Sequence, residues 1–473
     1  HILSEMLSEI TISKEEENRL IWRLTRTQPM LSVGIMTARE IEFEILSDGA
    51  SVRKAVMREG KIEYDGALYD ELYFDAQTLS TQFAQPSFVL KNVTIGKNFH
   101  WQRMEDQKFA GSLRIIVEKG QLTAINIVGV EDYLLSVISS EMSASASEEF
   151  LKAHAVISRS WVMAQMTSLR RRRYVHIPEE ICSTPSLVSH LDTFLSHEDA
   201  PHHGGSVEYI KWYDHDDHHL FDVCADDHCQ RYQGLDRAVG SRVRKVIDAT
   251  WGEALHYEGE LCDARFSKCC GGTMEKFSSC WEDKDYAYLL PLADTPDHSP
   301  EGECFCATQD KEILGQVLNN YDQETVDFYR WTEVYDKTEL SRLITRRSGV
   351  DIGELRSVEP MERGESGRIW KLKIEGSEAT LIVGKELEIR RILSESHLKS
   401  SAFDVRMEGD KVILEGKGWG HGVGLCQIGA AVMASKGYTY DQILSHYYPG
   451  SELDRTSMHA GLTSRSDEAS KEI

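Results

Sequence analysis

The chain has 473 residues, 41% of them hydrophobic and none in an apolar run long enough to cross a bilayer, so it can hold two or three domains with cores of their own. Its 53 Lys and Arg face 77 Asp and Glu, a formal charge of −24 that excludes nucleic acid as a partner, since phosphates call for a basic surface. The chain begins at His1 and not at a methionine, so a missing export signal carries no weight.

Residues 1–28 are polar and Glu-rich and read as a leader. From Leu31–Ile35 and Ile41–Ile45 onward, short alternating runs predict a β-rich region over 29–130. The pairs Asp48-Gly49, Glu59-Gly60, Asp65-Gly66 and Lys119-Gly120 punctuate it as hairpin turns.

Val130 to Gln165 predicts two helices with a short break. In the first, Leu134, Val137, Ile138 and Glu141 follow an i, i+3, i+4, i+7 spacing, so a carboxylate continues an apolar stripe at the C-terminal end. Burial and the negative end of the helix dipole both disfavour an ionised carboxylate there, as a general acid requires. The alternative is a Glu141 turned out to solvent at a frayed helix end. Ser145 with Glu148 has the form of a capping box for the second helix, whose Leu151, Ala155, Val162 and Met166 share a face with Arg159 at its edge. An arginine so placed pairs with something, and an ordinary ion pair accounts for it. Arg170 to Arg173 supplies favourable charge near a helix C-terminus.

An acidic, His-rich insertion near Ser196–Leu220 leads to His218, Cys224, His228 and Cys229, a set able to close a tetrahedral zinc site that ties the long loop to the core. His219 and His215 compete for the imidazole places, and the alternative is a solvated loop with free or disulfide-bonded cysteines. Four protein ligands leave no open position for water, so the expected zinc is structural. Cys262, Cys269, Cys270, Cys280, Cys304 and Cys306 crowd one region, as disulfides if the protein is exported or as metal ligands if not. Asp310–Leu393 reads as a smaller inserted subdomain, taken as 311–395.

Gly418, Gly420, Gly422 and Gly424 then bracket His421 just before Leu425, Cys426 and Gln427. Glycine lets backbone approach another surface closely, which predicts a strand-to-helix turn with a substrate-sized bend, or else a purely structural turn with an incidental histidine. The strand is Lys411–Glu415, and the helix carries Ile428, Ala431 and Val432 and stops at Gly437. Thr439 with Gln442 forms a capping box for a last helix ending at Pro449-Gly450. Cys426 reads as a small buried hydrophobe, and residues 456–473 as a flexible tail. These mixed runs predict an α+β fold: a β-rich N-terminal region over 29–130, a core of 131–310 and 396–455, and the inserted subdomain.

Four segments, in order, resemble the sporulation stage II protein D and amidase-enhancer (SpoIID/LytB) family of cell-wall proteins. They are Val130–Leu134 with Ser140-Glu141-Met142 and Leu151 to Arg159, then Ser267 to Glu275, then Ser366-Gly367-Arg368 with Ile389-Arg390 and Leu398-Lys399-Ser400, and last Gly418 to Gln427 with His446 to Gly450. The similarity covers roughly 110–455. It departs at Ser143, where the family commonly has proline, and in the long N-terminal part. The resemblance implies a lytic transglycosylase that cleaves peptidoglycan glycan strands, preferably stripped of stem peptides, between N-acetylmuramic acid and N-acetylglucosamine. A muramic 6-hydroxyl then replaces water, so one acid/base suffices where hydrolytic glycosidases need two carboxyl groups. Carried over by position, that group is Glu141, with Arg159, Ser267, Gly271, Gly272, His421 and Gln427 as sugar-binding groups. Some relatives carry zinc at a place like His218–Cys229. The resemblance also implies extracytoplasmic action and, as the other role in the family, activation of a partner amidase by a noncatalytic wall-binding protein.

Overall fold

The computed structural model describes residues 28–49, 51–76, 83–95, 102–143, 145–174, 205–213, 218–226, 229–235, 241–318 and 327–454. It is a β-rich α+β fold, as the mixed runs predict. The leader, most of the His-rich insertion and the tail lie outside the described residues.

Two sheets make the N-terminal part. A six-stranded sheet runs Ala67–Tyr69, Lys61–Tyr64, Val52–Arg58, Glu40–Ile45, Phe88–Ile95, Arg103–Phe109, and a five-stranded one runs Val223–Cys224, Met30–Ala38, Gln121–Gly129, Ser112–Glu118, Glu71–Phe74. The hairpins form where the Xaa-Gly pairs stand. Glu59, Asp65 and Lys119 and the glycine after each all take positive φ, the paired left-handed conformation that matches strand twist. Inward residues of both sheets, among them Val33, Phe43, Leu90 and Ile115, share one apolar core.

The strand Gln121–Gly129 feeds directly into helix α1, Val130–Glu141, and α2 follows as Glu148–Tyr174. Ten of the twelve residues of α1 are buried, so it is a central helix packed on all sides and not the one-sided helix that its apolar stripe predicts. The Ser145–Glu148 capping box does not form. α2 starts three residues later, with the first helical hydrogen bond accepted by the Ser147 carbonyl, and Ser145 instead bonds Ser143. Arg170 to Arg173 fall in the last turn of α2.

α3 (Ser241–Ala249) and α4 (Lys311–Val317) complete the middle of the chain. A second apolar core is built by α5 (Lys337–Ser348), α6 (Glu386–Ile392), the antiparallel strands Leu355–Arg363, Ile369–Gly376 and Ala379–Gly384, and the strands Arg330–Asp336, Phe403–Glu408 and Lys411–Lys417. It reaches on to Leu414 and takes in Tyr209 from the strand Gly205–Ile210, pairing far from its sequence neighbours. Length and polarity cannot foretell such a pairing, because the strand's partner Ala379–Gly384 is remote in the chain.

Past the glycine loop the chain returns to the first core as α7 (Gln427–Ser435) and α8 (Tyr440–Tyr447). The Thr439–Gln442 capping box is formed, and Gly437 follows the end of α7 at φ 90°. No helix among the described residues is long and apolar enough to cross a membrane.

Candidate active site

α1 carries two carboxylates in its first turn, Glu131 and Asp132, and one at its C-terminal end, Glu141. Glu131, in the first turn, is buried and receives two bonds from the Arg159 guanidinium, at 2.9 and 2.7 Å, and one from the Gly252 N–H. The third arginine bond goes to the Glu253 carbonyl at 2.9 Å. Of the two expectations for Arg159, sugar binding and an ordinary ion pair, the structure gives the second: the side chain is 0% exposed and fully engaged, and it locks α2 to α1. Position alone put it beside the sugar. What the spacing could not reveal was that its partner is Glu131, 28 residues back on the neighbouring helix.

Glu141, at the other end, is half-buried and accepts the backbone N–H of Arg231 at 3.3 Å. That bond belongs to a segment strapped along α1. The Tyr133 and Tyr232 rings meet at 4.9 Å, Ser136 Oγ donates to the Gly234 carbonyl at 2.8 Å, and the Gln233 N–H donates to Ser136 Oγ. The strap issues from the loop of His218, Cys224 and Cys229. There the donor atoms of all three lie within 4.8 Å of one another, with His218 Nε2 3.5 Å from Cys229 Sγ. This fits three ligands of a zinc set. His228 lies outside the described residues, and so does the competing His215. Val223–Cys224 pairs with the strand Met30–Ala38, and Phe221 presses its ring where a Cβ at Gly34 would stand, so the loop is seated on the N-terminal sheet.

The glycine loop meets the central double-glycine segment backbone to backbone. Cys269 and Trp419 exchange two N–H to carbonyl bonds at 3.0 and 2.8 Å, and the Glu275 N–H donates to the Gly422 carbonyl at 2.8 Å. Ser267 accepts the Gly422 N–H at 3.1 Å, which makes it a support for the loop. Gly271 packs on the backbone of Gly418 and gives its carbonyl to Arg330, while the Gly272 N–H points at Cys270 Sγ and its carbonyl accepts from the Asp294 N–H. Both glycines thus serve close packing.

Arg368 is the hub of this junction and was not among the expected site residues. Buried in full, it donates to the carbonyls of Gly420, Cys270 and Cys269 at 3.0, 3.0 and 3.3 Å. A Cβ at Gly422, where φ is +76°, would lie 2.4 Å from its Cζ, so this glycine is required twice, by conformation and by space. The one signal in the sequence was its place in Ser366-Gly367-Arg368. Glu275 completes the junction by accepting from Ser366, Ser279 and Lys276.

His421 is half-buried, its ring edge-on to Trp281 at 4.9 Å, and Arg265 lies 4.2 Å over the same indole. The Val423 N–H donates to His421 Nδ1, so a neutral ring carries its proton on Nε2. Burial, then the charges of Arg265, Arg368 and Arg390, push its pKa well down and keep it neutral. Gln427, expected at the sugar, is buried and turned inward: its amide nitrogen donates to His154 Nε2 at 3.0 Å. His154 in turn holds Ser158 through Nδ1. Burial, helped by the charge of Lys268, brings His154 down to about 3, so this bond between α2 and the glycine loop is made by a neutral imidazole. An open groove of about 770 Å³, lined by Arg330, Trp331, Arg363, Phe403, Asp404 and Lys417 among others, contains neither Glu141 nor His421.

Residues 118–257, which hold Glu141 and the whole strap, match the stage II sporulation protein family. This chain carries a SpoIID-family domain. Residues 275–424 match a domain of unknown function, DUF8618. The chain is 23% identical over 348 residues to the stage II sporulation protein D of Bacillus subtilis, covering 73% of this chain and 80% of that one. Against the amidase enhancer of the same organism it is 25% identical over 240 residues, 45% of this chain and 32% of the relative, so it spans about a third of that protein's length. An uncharacterized protein of Brachyspira hyodysenteriae is 25% identical over 346 residues, 73% of this chain and 72% of the other.

Proposed function

We propose that the SpoIID-family domain is a lytic transglycosylase acting outside the cytoplasm on peptidoglycan glycan strands, with Glu141 as its single acid and base. The observation that carries the reading is the position of Glu141 at the C-terminal end of a helix buried on all sides, held by a strap from the metal-type loop. On the same helix Glu131 is committed to Arg159, and the buried Asp132 accepts from the Ala84 N–H and the Gln28 amide at the positive end, so Glu141 is the carboxylate of α1 set at the helix's negative end.

In this scheme protonated Glu141 gives its proton to the glycosidic oxygen as the bond to the anomeric carbon breaks. The carboxylate so formed takes the proton of the muramic 6-hydroxyl, whose oxygen attacks that carbon and closes the 1,6-anhydro ring. No water is consumed and the carboxyl ends protonated, as it began. His421, held neutral in the glycine loop, is the sugar-binding group kept from the family pattern. We assign His218, Cys224 and Cys229, with His228 as the fourth ligand, to a structural zinc that holds the strap.

The test is incubation with peptide-free glycan strands and mass analysis of the products, beside Glu141→Gln. Anhydromuramic ends from the native protein alone support the proposal. Strands bound equally by both proteins and left intact refute it and favour the second reading, a noncatalytic activator of an amidase, which the amidase-enhancer relative supports.

A further inference from the structure

Away from Glu141, the glycine junction hides a cluster that the proposed chemistry does not use. Cys270, Cys306, Cys426 and Asp294 are all buried, and one donor atom from each lies within 4.8 Å of every other. Cys270 Sγ is 3.5 Å from Cys306 Sγ and 3.4 Å from Asp294 Oδ2. A disulfide would need the sulfurs at about 2.05 Å. Tetrahedral ligands on zinc, at about 2.3 Å for sulfur and about 2.1 Å for oxygen, stand about 3.8 Å apart for two sulfurs and about 3.6 Å for sulfur and oxygen. The observed spacings are close to the metal geometry and far from the disulfide.

We propose that Cys270, Cys306, Cys426 and Asp294 form a second, closed binding site for a zinc-type divalent ion, separate from the loop of His218. Three thiolates and a carboxylate select a soft to borderline cation over calcium or magnesium. The ion's two positive charges offset half of the four negative ones, and the surroundings supply the rest. The N–H groups of Cys270 and Gly429 point at Cys426 Sγ from 3.3 and 3.4 Å, and that of Gly272 at Cys270 Sγ from 3.4 Å. Cys426 caps the nine-residue α7, at the positive end of its dipole. His446 bonds Asp294 Oδ1 at 3.0 Å, the outer support that metal-bound carboxylates use, and stacks on His298. Cys269 adds a further buried thiol beside Cys306 and Cys426, outside the mutually close set.

The ligands come from three places: the double-glycine segment, the 294–306 loop, and the residue where the glycine loop becomes α7. Binding takes the three cysteines as thiolates and joins these segments at one point. With no open position on the ion, its role is to fix the junction. This inference does not depend on the transglycosylase reading.

The test uses the full chain, reduced, loaded with zinc and freed of excess. Cys224→Ser/Cys229→Ser disables the outer loop and leaves the junction intact, so this variant should retain one equivalent of zinc and, with cobalt instead, show thiolate-to-cobalt charge transfer. Adding Cys306→Ser should abolish both. A folded double variant holding no metal would overturn the proposal, and so would a Cys270–Cys306 disulfide in metal-free protein prepared under the same reducing conditions. If the triple variant fails to fold, metal content and the cobalt spectrum of the double variant still decide. Failure of the outer loop to bind shows separately, as one equivalent in both the wild type and the double variant.

Discussion

His154 offers the sharpest check on how the helix pair is tied to the glycine loop. Its ring is buried, neutral, bonded by Gln427 and Ser158, and its pKa is lowered to about 3 from the ordinary 6.5. Between those two values the unfolded chain binds a proton that the folded one refuses. The stabilisation is therefore complete above about pH 6.5 and is lost as pH falls toward 3. At about 1.4 kcal/mol per unit, lowering pH from 6.5 to 5 should cost about 2 kcal/mol from this residue, and the whole window about 5 kcal/mol, comparable to the total stability of many domains. The assay is urea denaturation at pH 7 and pH 5 of the native protein and of His154→Gln, which keeps a polar group but cannot titrate. The variant has a fixed cost from its altered bonds, the same at both pH values. The difference between the two proteins should shrink by about 2 kcal/mol at pH 5. Because Asp294, His397 and the metal-type groups are common to both, they cancel. Equal pH dependence in the two proteins would refute a buried neutral His154.

Arg159→Met leaves Glu131 charged in the core and should cost about 3–5 kcal/mol by denaturation, of which Glu131→Met in the same chain should restore a large part. Gly422→Ala should destabilise more than Gly437→Ala: both glycines have positive φ, costing about 1–2 kcal/mol, but only the first meets Arg368, whereas nothing lies within 4 Å at the second. Glu141→Gln should lower anhydromuramic product at least about 10²-fold with an unchanged melting temperature, since the side chain is half-buried and the change is isosteric. Cys224→Ser should remove one equivalent of zinc, expose the strap to trypsin at Arg231 and lower Glu141-dependent product, because the Arg231 N–H no longer holds Glu141; a folded variant that keeps its full zinc content would refute this ligand set.

Much of the local structure was set by short-range patterns. Xaa-Gly pairs need left-handed backbone whatever surrounds them, and Thr439 with Gln442 caps α8 through groups three residues apart, so hairpins and caps could be read directly from the chain. The helix break before α2 was legible for the same reason, although Ser147 and not Ser145 provides its start. Of the four family segments, the first lies within residues 118–257, which match the stage II sporulation protein family, and the other three lie beyond them.

Tertiary structure decided what each polar side chain is for. Arg159 and Gln427 stand where their segments place them, yet Glu131 and His154 claim them, because a buried charge or amide takes the nearest partner that spares it an unsatisfied bond. Arg368 and Asp294 became visible only when segments 98 and 152 residues apart closed on one another, as did the pairing of Gly205–Ile210 with Ala379–Gly384. Hydrophobic period and turn chemistry act over a few residues and are written locally. Electrostatic pairing and metal-type geometry depend on distances that exist only after the chain has folded.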